Sequence, residues 1–215
     1  MQSLRIGDCI ELMKELQSES IDIILSDPPY NVGKNYSVYN DNLTHEQYLS
    51  WSKQWFKEAK RVAKAIIFTP GCVNLKMWLT EIEYPKGIVM LHISNQCSSS
   101  DLGGWNHWEP LLVYGKVTMG QNAFDYSVKH QSNVGNHPCP KGVDLYKNIL
   151  KSCRPKPKIV LDPFTGSGTT LRVCRELNID CIGFEIDPSY KNTIKGRSLS
   201  ETPKILNSSI NVCDI

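Results

Sequence analysis

The 215-residue sequence lacks apolar runs long enough to cross a bilayer, so we expect no membrane-spanning segment. None of its eight cysteines forms a C-x-x-C pair, and no cysteine–histidine group has zinc spacing, so we expect no metal site. Without a recognisable signal peptide, the scattered cysteines are typical of reduced thiols in a cytoplasmic protein. The formal net charge is only +2, so any binding to nucleic acid must depend on a local basic patch.

Short apolar runs alternate with helical patterns along the chain. Seven of these runs predict strands, at residues 4–8, 21–25, 65–68, 87–94, 109–114, 158–162 and 180–185. This alternation predicts an α/β fold, with a doubly wound, mostly parallel, seven-stranded Rossmann-like sheet and helices on both faces. No repeat or linker divides the chain, so we expect one domain over residues 1–197 and a C-terminal tail over 198–215.

The motif Asp27-Pro28-Pro29-Tyr30 directly follows the predicted strand 21–25. Open α/β sheets bind ligands at the carboxyl ends of their strands, and the two prolines stop the strand there. The motif offers an acceptor-only carboxylate, proline carbonyls and an aromatic ring, which suit a planar base that carries an amino group. The alternative is a Pro-Pro turn with a structural tyrosine. The polar residues 31–43 that follow predict a flexible loop.

A second candidate site begins at Asp162, which ends another predicted strand. A turn with Gly166 and Gly168 leads into a helix from Thr169, and Glu185 ends the next strand roughly 20 residues on, where an acid can reach ribose hydroxyls. The third glycine of the dinucleotide pattern is absent, and an acid at position 162 repels pyrophosphate but pairs with an ammonium group. S-adenosylmethionine therefore fits better than NAD or ATP. The alternative is a glycine turn that serves only helix–strand packing.

With these motifs the chain resembles the DNA N4-cytosine/N6-adenine methyltransferases over nearly its whole length. The similar segments are residues 7–9, 27–30, 108–116, 137–142, 161–170 and 183–187. The catalytic motif precedes the cofactor loop, which is similar to the circularly permuted class of this family. In that class Asp8 is expected beside Glu185. Pro140 and Gly142 depart from the family pattern, which weakens the assignment of His137.

The resemblance implies that S-adenosylmethionine methylates the N6 amine of an adenine flipped out of double-stranded DNA. Asp27 and the carbonyl of Pro28 would accept the amine hydrogens, and Tyr30 would stack on the base. The implied catalytic residues are Asp27, Pro28, Pro29 and Tyr30. The implied cofactor-binding residues are Asp8, Cys9, Asp27, His137, Lys141, Asp162, Pro163, Phe164, Gly166, Ser167, Gly168, Thr169, Glu185, Ile186 and Asp187.

Several basic residues are candidates for contacts with DNA phosphates, although each is also typical of a solvated surface. They are Lys34, Lys116, Lys129, His130 and the loop 151–158. Residues 117–136 are polar without a clear period and occupy the place of a short target-recognition segment. By the same resemblance, a homodimer is a candidate assembly.

The sequence leaves alternatives open for both the target base and the activity. An aspartate at the head of the catalytic motif favours adenine in this family, with cytosine N4 as the first alternative. A methyltransferase for RNA or for a protein amide is the second, and a non-catalytic nucleic-acid-binding module is the third.

Overall fold

The computed structural model describes residues 1–34, 36, 38–94, 106–127 and 142–198. Several predictions concern residues outside this part of the chain, namely Lys129, His130, His137, Lys141, residues 128–136 of the target-recognition segment and most of the C-terminal tail. No helix in the described part is long and apolar enough to cross a membrane.

The described residues form strands and helices in regular alternation. The strands are β1 (Gln2–Ile6), β2 (Ile21–Ser26), β3 (Ala63–Phe68), β4 (Gly87–Ile93), β5 (Trp108–Gly115), β6 (Thr118–Met119), β7 (Ala123–Tyr126), β8 (Cys153–Arg154), β9 (Ile159–Asp162) and β10 (Asp180–Glu185). The α-helices are α1 (Cys9–Lys14), α2 (His45–Val62), α3 (Leu75–Met77), α4 (Val143–Ser152), α5 (Thr169–Glu176) and α6 (Lys191–Ser198). Short 3₁₀ turns at Cys72–Asn74 and Pro188–Tyr190 precede α3 and α6, and a π-helical turn at Trp78–Ile82 follows α3.

The central sheet has the strand order β1-β10-β9-β2-β3-β5-β4-β7, and β6 pairs separately with β8. The first five strands run parallel, whereas β5 is antiparallel to both β3 and β4. The predicted mostly parallel α/β fold is therefore confirmed. The sheet has eight strands in the described part, one more than expected, because β7 pairs with β4. Only Phe124 of β7 is buried, so its sequence shows too little apolar alternation to predict a strand.

Helices cover the sheet on both faces, and each face has its own apolar core. Alternate strand residues point to opposite faces, so Ile23 and Leu25 join one core while Ile24 joins the other. The first core packs against α4, α5 and α6, and the second packs against α1 and α2. A capping box starts α2, because Thr44 Oγ1 accepts from the Gln47 amide while Gln47 Oε1 accepts from the Thr44 amide.

One edge of the sheet gathers the residues that follow the parallel strands. The strand register places Ser26 beside Phe68, Gly183 beside Asp162, and Ile6 beside Glu185. We call this edge the carboxyl edge, after the carboxyl ends of β1, β2, β3, β9 and β10. Since β5 is antiparallel, it starts at the carboxyl edge and finishes at the opposite one.

Candidate functional site

A single cleft of about 690 Å³ opens at the carboxyl edge. Its volume falls in the range of about 300–1,000 Å³ that is typical of small-molecule sites. The four residues of the Asp27 motif line it together with Asp162 and Glu185, so the two sites predicted from the sequence share one cavity. Among the described residues, no three His, Cys, Asp or Glu side chains lie close enough together to hold a metal ion.

Of the other predicted cofactor residues that the structure describes, all but one fall in the same cleft. Asp8, Cys9, Pro163, Phe164, Gly166, Ser167, Thr169, Ile186 and Asp187 all line it. Gly168 does not line the cleft, and it takes the left-handed conformation at the N-cap of α5, with φ +83°. Its role in the described structure is therefore to turn the chain into the helix.

The Asp27 carboxylate is held by two hydroxyl groups. The Tyr30 hydroxyl donates to Asp27 Oδ1 at 2.5 Å, and Thr69 Oγ1 donates to the same oxygen. Tyr30 and Thr69 also contact each other, with 3.0 Å between their oxygens. These three side chains form a small polar cluster at the ends of β2 and β3.

The backbone of residues 27–30, the predicted catalytic turn, is anchored by two buried side chains. The Tyr48 hydroxyl donates to the Pro29 carbonyl at 2.8 Å. The Asn74 amide nitrogen donates to the Tyr30 carbonyl at 2.8 Å and to the Pro70 carbonyl at 3.1 Å. The Pro29 carbonyl is thus used to hold the turn.

Gly71 lies directly against the Tyr30 ring. A Cβ atom at this position would approach the ring carbon Cδ2 to 2.8 Å, which is far inside normal contact. Its backbone has φ +71° and ψ 151°, a conformation that is essentially restricted to glycine. The ring therefore rests on bare backbone, and no other residue type fits there.

In the described part of the loop after Tyr30, a buried acidic side chain binds the backbone. The Asp41 carboxylate is only 2% exposed and accepts hydrogen bonds from three backbone amides, those of Asn31, Val32 and Lys34. The Asn31 side chain is bonded to both backbone groups of Leu43. These bonds tie the described residues between 31 and 43 into a folded wall of the cleft. The polar composition does not reveal this buried acceptor, and the flexibility of the loop stays a prediction.

Asp162 lies at the bottom of the cleft and is 3% exposed. Its Oδ1 accepts from Ser26 Oγ at 2.5 Å and from the Phe164 amide at 3.1 Å. Burial raises the pKa of this carboxyl to about 6 in spite of these bonds, and the nearby negative charge of Asp27 adds to the effect. The site therefore gives the ionised form of Asp162 little compensation for lost water.

Glu185 presents a carboxylate whose two oxygens are both bonded to backbone amides. Oε2 accepts from Gly166 at 2.7 Å, and Oε1 accepts from Asp187 at 2.9 Å. Burial still raises the pKa of Glu185 to about 7. The Gly7 amide donates to the Glu185 carbonyl at 2.8 Å, so Asp8, the next residue in the chain, lies close to Glu185 as expected.

Apolar and aromatic side chains form the wall next to these acids. The Phe164 ring lies 5.7 Å from the Trp51 ring, which in turn lies 5.8 Å from Tyr39. Ile186 is exposed into the cleft with 42% of its surface accessible. A flat heterocycle can pack between such surfaces.

The sequence matches the model of the DNA methylase family over residues 21–71 and 76–196. The chain belongs to this family. The match confirms the family predicted from the motifs.

Individual methylases are similar over most of their length. Type II methyltransferase M.HpaI of Haemophilus parainfluenzae is 29% identical over 239 residues, which cover 93% of this chain and 75% of that protein. DNA adenine methyltransferase YhdJ of Escherichia coli is 25% identical, with 86% of this chain and 78% of that protein covered.

Solved methylase structures share the fold. PvuII DNA methyltransferase, which is cytosine-N4-specific, superposes with a TM-score of 0.73 at 18% identity, over 94% of this chain and 88% of that one. The M1.HpyAVI–SAM complex superposes with a TM-score of 0.66 at 21% identity, over 92% and 98% of the two chains.

The basic residues predicted to contact DNA do not all lie at the methylase cleft. Lys34 lines it, carried by the wall that Asp41 holds. Lys116 does not, because antiparallel β5 delivers it to the opposite edge of the sheet, where it pairs with Glu19 at 3.7 Å. The loop 151–158 also reaches that opposite edge, since the Lys158 amide donates to Asp22 at the start of β2. The structure therefore places Lys116 and this loop away from the cleft, and their contact with DNA phosphates stays a prediction.

Four residues that support the catalytic turn were missed by sequence reasoning, namely Tyr48, Thr69, Gly71 and Asn74. A signal for two of them was present, because Thr69-Pro70-Gly71 directly follows a predicted strand and must reach the same edge as Asp27. For Tyr48, the sequence pattern indicates only an aromatic residue on the apolar face of α2. Nothing in the local sequence distinguishes Asn74 from a surface residue.

Proposed function

We propose that this DNA methylase uses S-adenosylmethionine to methylate an exocyclic amine of a base in double-stranded DNA, with adenine N6 as the preferred target. The observation that carries the proposal is that Asp27 and Asp162 line one cleft, with Ser26 Oγ bonded to Asp162 directly before Asp27 in the chain. An acceptor for the amine and an acceptor for the cofactor are thus within one cavity.

The residues of the cleft fit S-adenosylmethionine by their chemistry. Glu185 lies in the cleft as an acceptor for ribose hydroxyls, and Phe164 and Ile186 offer apolar surface for the adenine ring. Asp162 is buried with a raised pKa, so a cationic ammonium group nearby would favour its ionised form, whereas a pyrophosphate would oppose it. When bound, the cofactor supplies a methyl group activated by its sulfonium charge.

Asp27, Pro28 and Tyr30 would act on the target amine. The lone pair of an exocyclic amine is delocalised into its ring, which makes the nitrogen a weak nucleophile. Hydrogen bonds from the amine to the Asp27 carboxylate and to the Pro28 carbonyl draw the nitrogen towards tetrahedral geometry and free the lone pair. Tyr30 stacks on the base after it has left the duplex. Attack by the nitrogen on the methyl carbon would break the bond from that carbon to the sulfonium sulfur, and the bonding electrons would stay on the sulfur as a neutral thioether leaves. The nitrogen then loses one of its protons, for which Asp27 is the acceptor beside it.

Cytosine N4 is the second candidate target. The aspartate at position 27 favours adenine by family resemblance, and the E. coli relative is named as an adenine methyltransferase. PvuII DNA methyltransferase, which has the same fold, is specific for cytosine N4. The two targets offer the same amine to the same acceptors, so the chemistry of the proposal is unchanged.

A methyl-transfer assay with tritiated S-adenosylmethionine and duplex DNA tests the proposal. We expect incorporation into DNA and not into tRNA, and mass spectrometry of the digested nucleosides should find N6-methyladenine. Asp27→Ala should lower kcat by at least about 100-fold, since positioning and hydrogen bonding both fail. Glu81→Ala, which removes a surface carboxylate paired with His45, is the matched control. Full activity of Asp27→Ala would refute the mechanism, and N4-methylcytosine would select the second target.

A further inference from the structure

Thr69 lies behind the catalytic carboxylate and outside the lining of the cleft. It is the first residue after β3, and its side chain is completely buried, with 0% exposure. Its backbone amide donates to the Ser26 carbonyl at 3.3 Å, which fixes the residue next to the end of β2. Its hydroxyl donates to Asp27 Oδ1.

One oxygen of Asp27 accepts from both hydroxyl groups of this cluster. Tyr30 and Thr69 each contribute one hydroxyl proton, and both hydroxyls lie within hydrogen-bond distance of Asp27 Oδ1. An ionised carboxylate only accepts, so it can take both bonds at once.

We propose that Thr69 is a positioning residue for methyl transfer, whose hydroxyl fixes the rotation of the Asp27 carboxylate. The torsion that turns an aspartate carboxylate is broad, so backbone position alone does not set its plane. Thr69 is a rigid donor, because it is β-branched, buried and bonded through its amide. A fixed carboxylate plane keeps the target nitrogen aligned with the methyl group. The inference rests on the proposed function.

Tyr30 cannot perform this task throughout the reaction in the same way. Its ring lines the cleft and is the surface on which the base would stack, so its hydroxyl shifts whenever the ring adjusts to the base. Thr69 has no contact with the cleft and keeps its place when the base enters. Rigid support of a functional group from behind is the usual requirement for alignment at a reacting centre.

Three variants of the full-length protein separate the hydroxyl from the packing of residue 69. Thr69→Val keeps the shape but removes the donor, and Thr69→Ser keeps the donor. Thr118→Val is the control, because it makes the same change in β6, outside the central sheet, where the hydroxyl donates to the Arg154 carbonyl. We expect Thr69→Val to lower kcat by at least about tenfold. We expect Thr69→Ser to stay within about threefold of wild type, and S-adenosylmethionine affinity by calorimetry to stay within about twofold for all variants.

Two results would overturn the proposal. One is a kcat of Thr69→Val within about twofold of wild type, and the other is an equal loss in Thr69→Val and Thr69→Ser, which would assign the effect to packing. If Thr69→Val does not fold, Thr69→Cys gives the same contrast with Thr69→Ser, because a thiol is a weak donor. A wild-type protein that methylates no DNA amine would refute the proposed function itself. An active wild type with an unaffected Thr69→Val refutes only the positioning role.

Discussion

Substitution of Gly71 by alanine should disable the catalytic turn while leaving the cofactor side of the cleft intact. The added methyl group would lie 2.8 Å from Tyr30 Cδ2, 3.0 Å from Cγ and 3.1 Å from Cε2. Carbon atoms in contact normally stay about 3.5–4.0 Å apart, so the ring must retreat by about 0.7–1.2 Å. The Tyr30 hydroxyl would move with it and strain its bond to Asp27.

The magnitude follows from two separate effects. A displacement of about 1 Å at a reacting centre can cost about 100-fold in rate, so we expect kcat of Gly71→Ala to fall by about that factor. The backbone at φ +71° and ψ 151° lies in a region that costs other residues about 1–3 kcal/mol. For a domain of this size each kcal/mol lowers Tm by about 2–4 °C.

Steady-state methylation of duplex DNA, calorimetric titration with S-adenosylmethionine and thermal unfolding together test this prediction. Cofactor affinity should stay close to that of wild type, because Gly71 contacts the tyrosine ring and not the acids of the cofactor site. Gly87→Ala is the matched control, since its Cβ would meet nothing within 4 Å and its φ is not positive. Wild-type kcat in Gly71→Ala would refute the claim that the ring needs bare backbone behind it.

Three further predictions concern stability, the cleft wall and DNA binding. Burial raises the pKa of Glu185 from 4.5 to about 7, so the folded chain holds a proton that the unfolded chain releases, and stability of the ligand-free protein should fall as pH rises through this interval. Thermal unfolding between pH 5 and 8 checks this, and an equal slope in Glu185→Gln would contradict it. Asp41→Ala removes charge-assisted bonds worth about 1.5–3 kcal/mol each, so hydrogen exchange at the amides of residues 31, 32 and 34 should accelerate about tenfold or more, and unchanged rates would count against the wall. Lys34→Ala should weaken DNA binding and reduce the slope of log K against log salt concentration by about 1, whereas Lys116→Ala should do neither. The reverse result would place the DNA at the edge of the sheet opposite the cleft.

Much of the fold could be predicted because buried parallel strands are almost uniformly apolar and stop at recognisable residues. Three of the predicted strands have an acidic residue at or just after their carboxyl end, namely Asp27, Asp162 and Glu185. Parallel strands bring their carboxyl ends to one edge of the sheet. The sharing of one cleft by the two motifs follows from that rule.

Other parts of the site depend on information that is not local. The direction of β5 cannot be deduced from its residues, and that direction decides on which edge Lys116 lies. The support of Asp27 by Thr69 requires β3 to be the neighbour of β2 in the sheet. The folded wall after Tyr30 depends on Asp41, whose carboxylate is buried although the surrounding sequence is polar.

The pairing of β1 with β10 has a consequence for how the protein folds during synthesis. The first strand from the amino terminus finds its parallel neighbour only in Asp180–Glu185, and the Met1 amine pairs with Asp180. During synthesis β1 must therefore wait for its partner strand until β10 has left the ribosome. Since residues 7–9, 162–167 and 184–187 line the same cleft, cofactor binding would fasten segments that lie far apart in the sequence to each other and protect both from fraying.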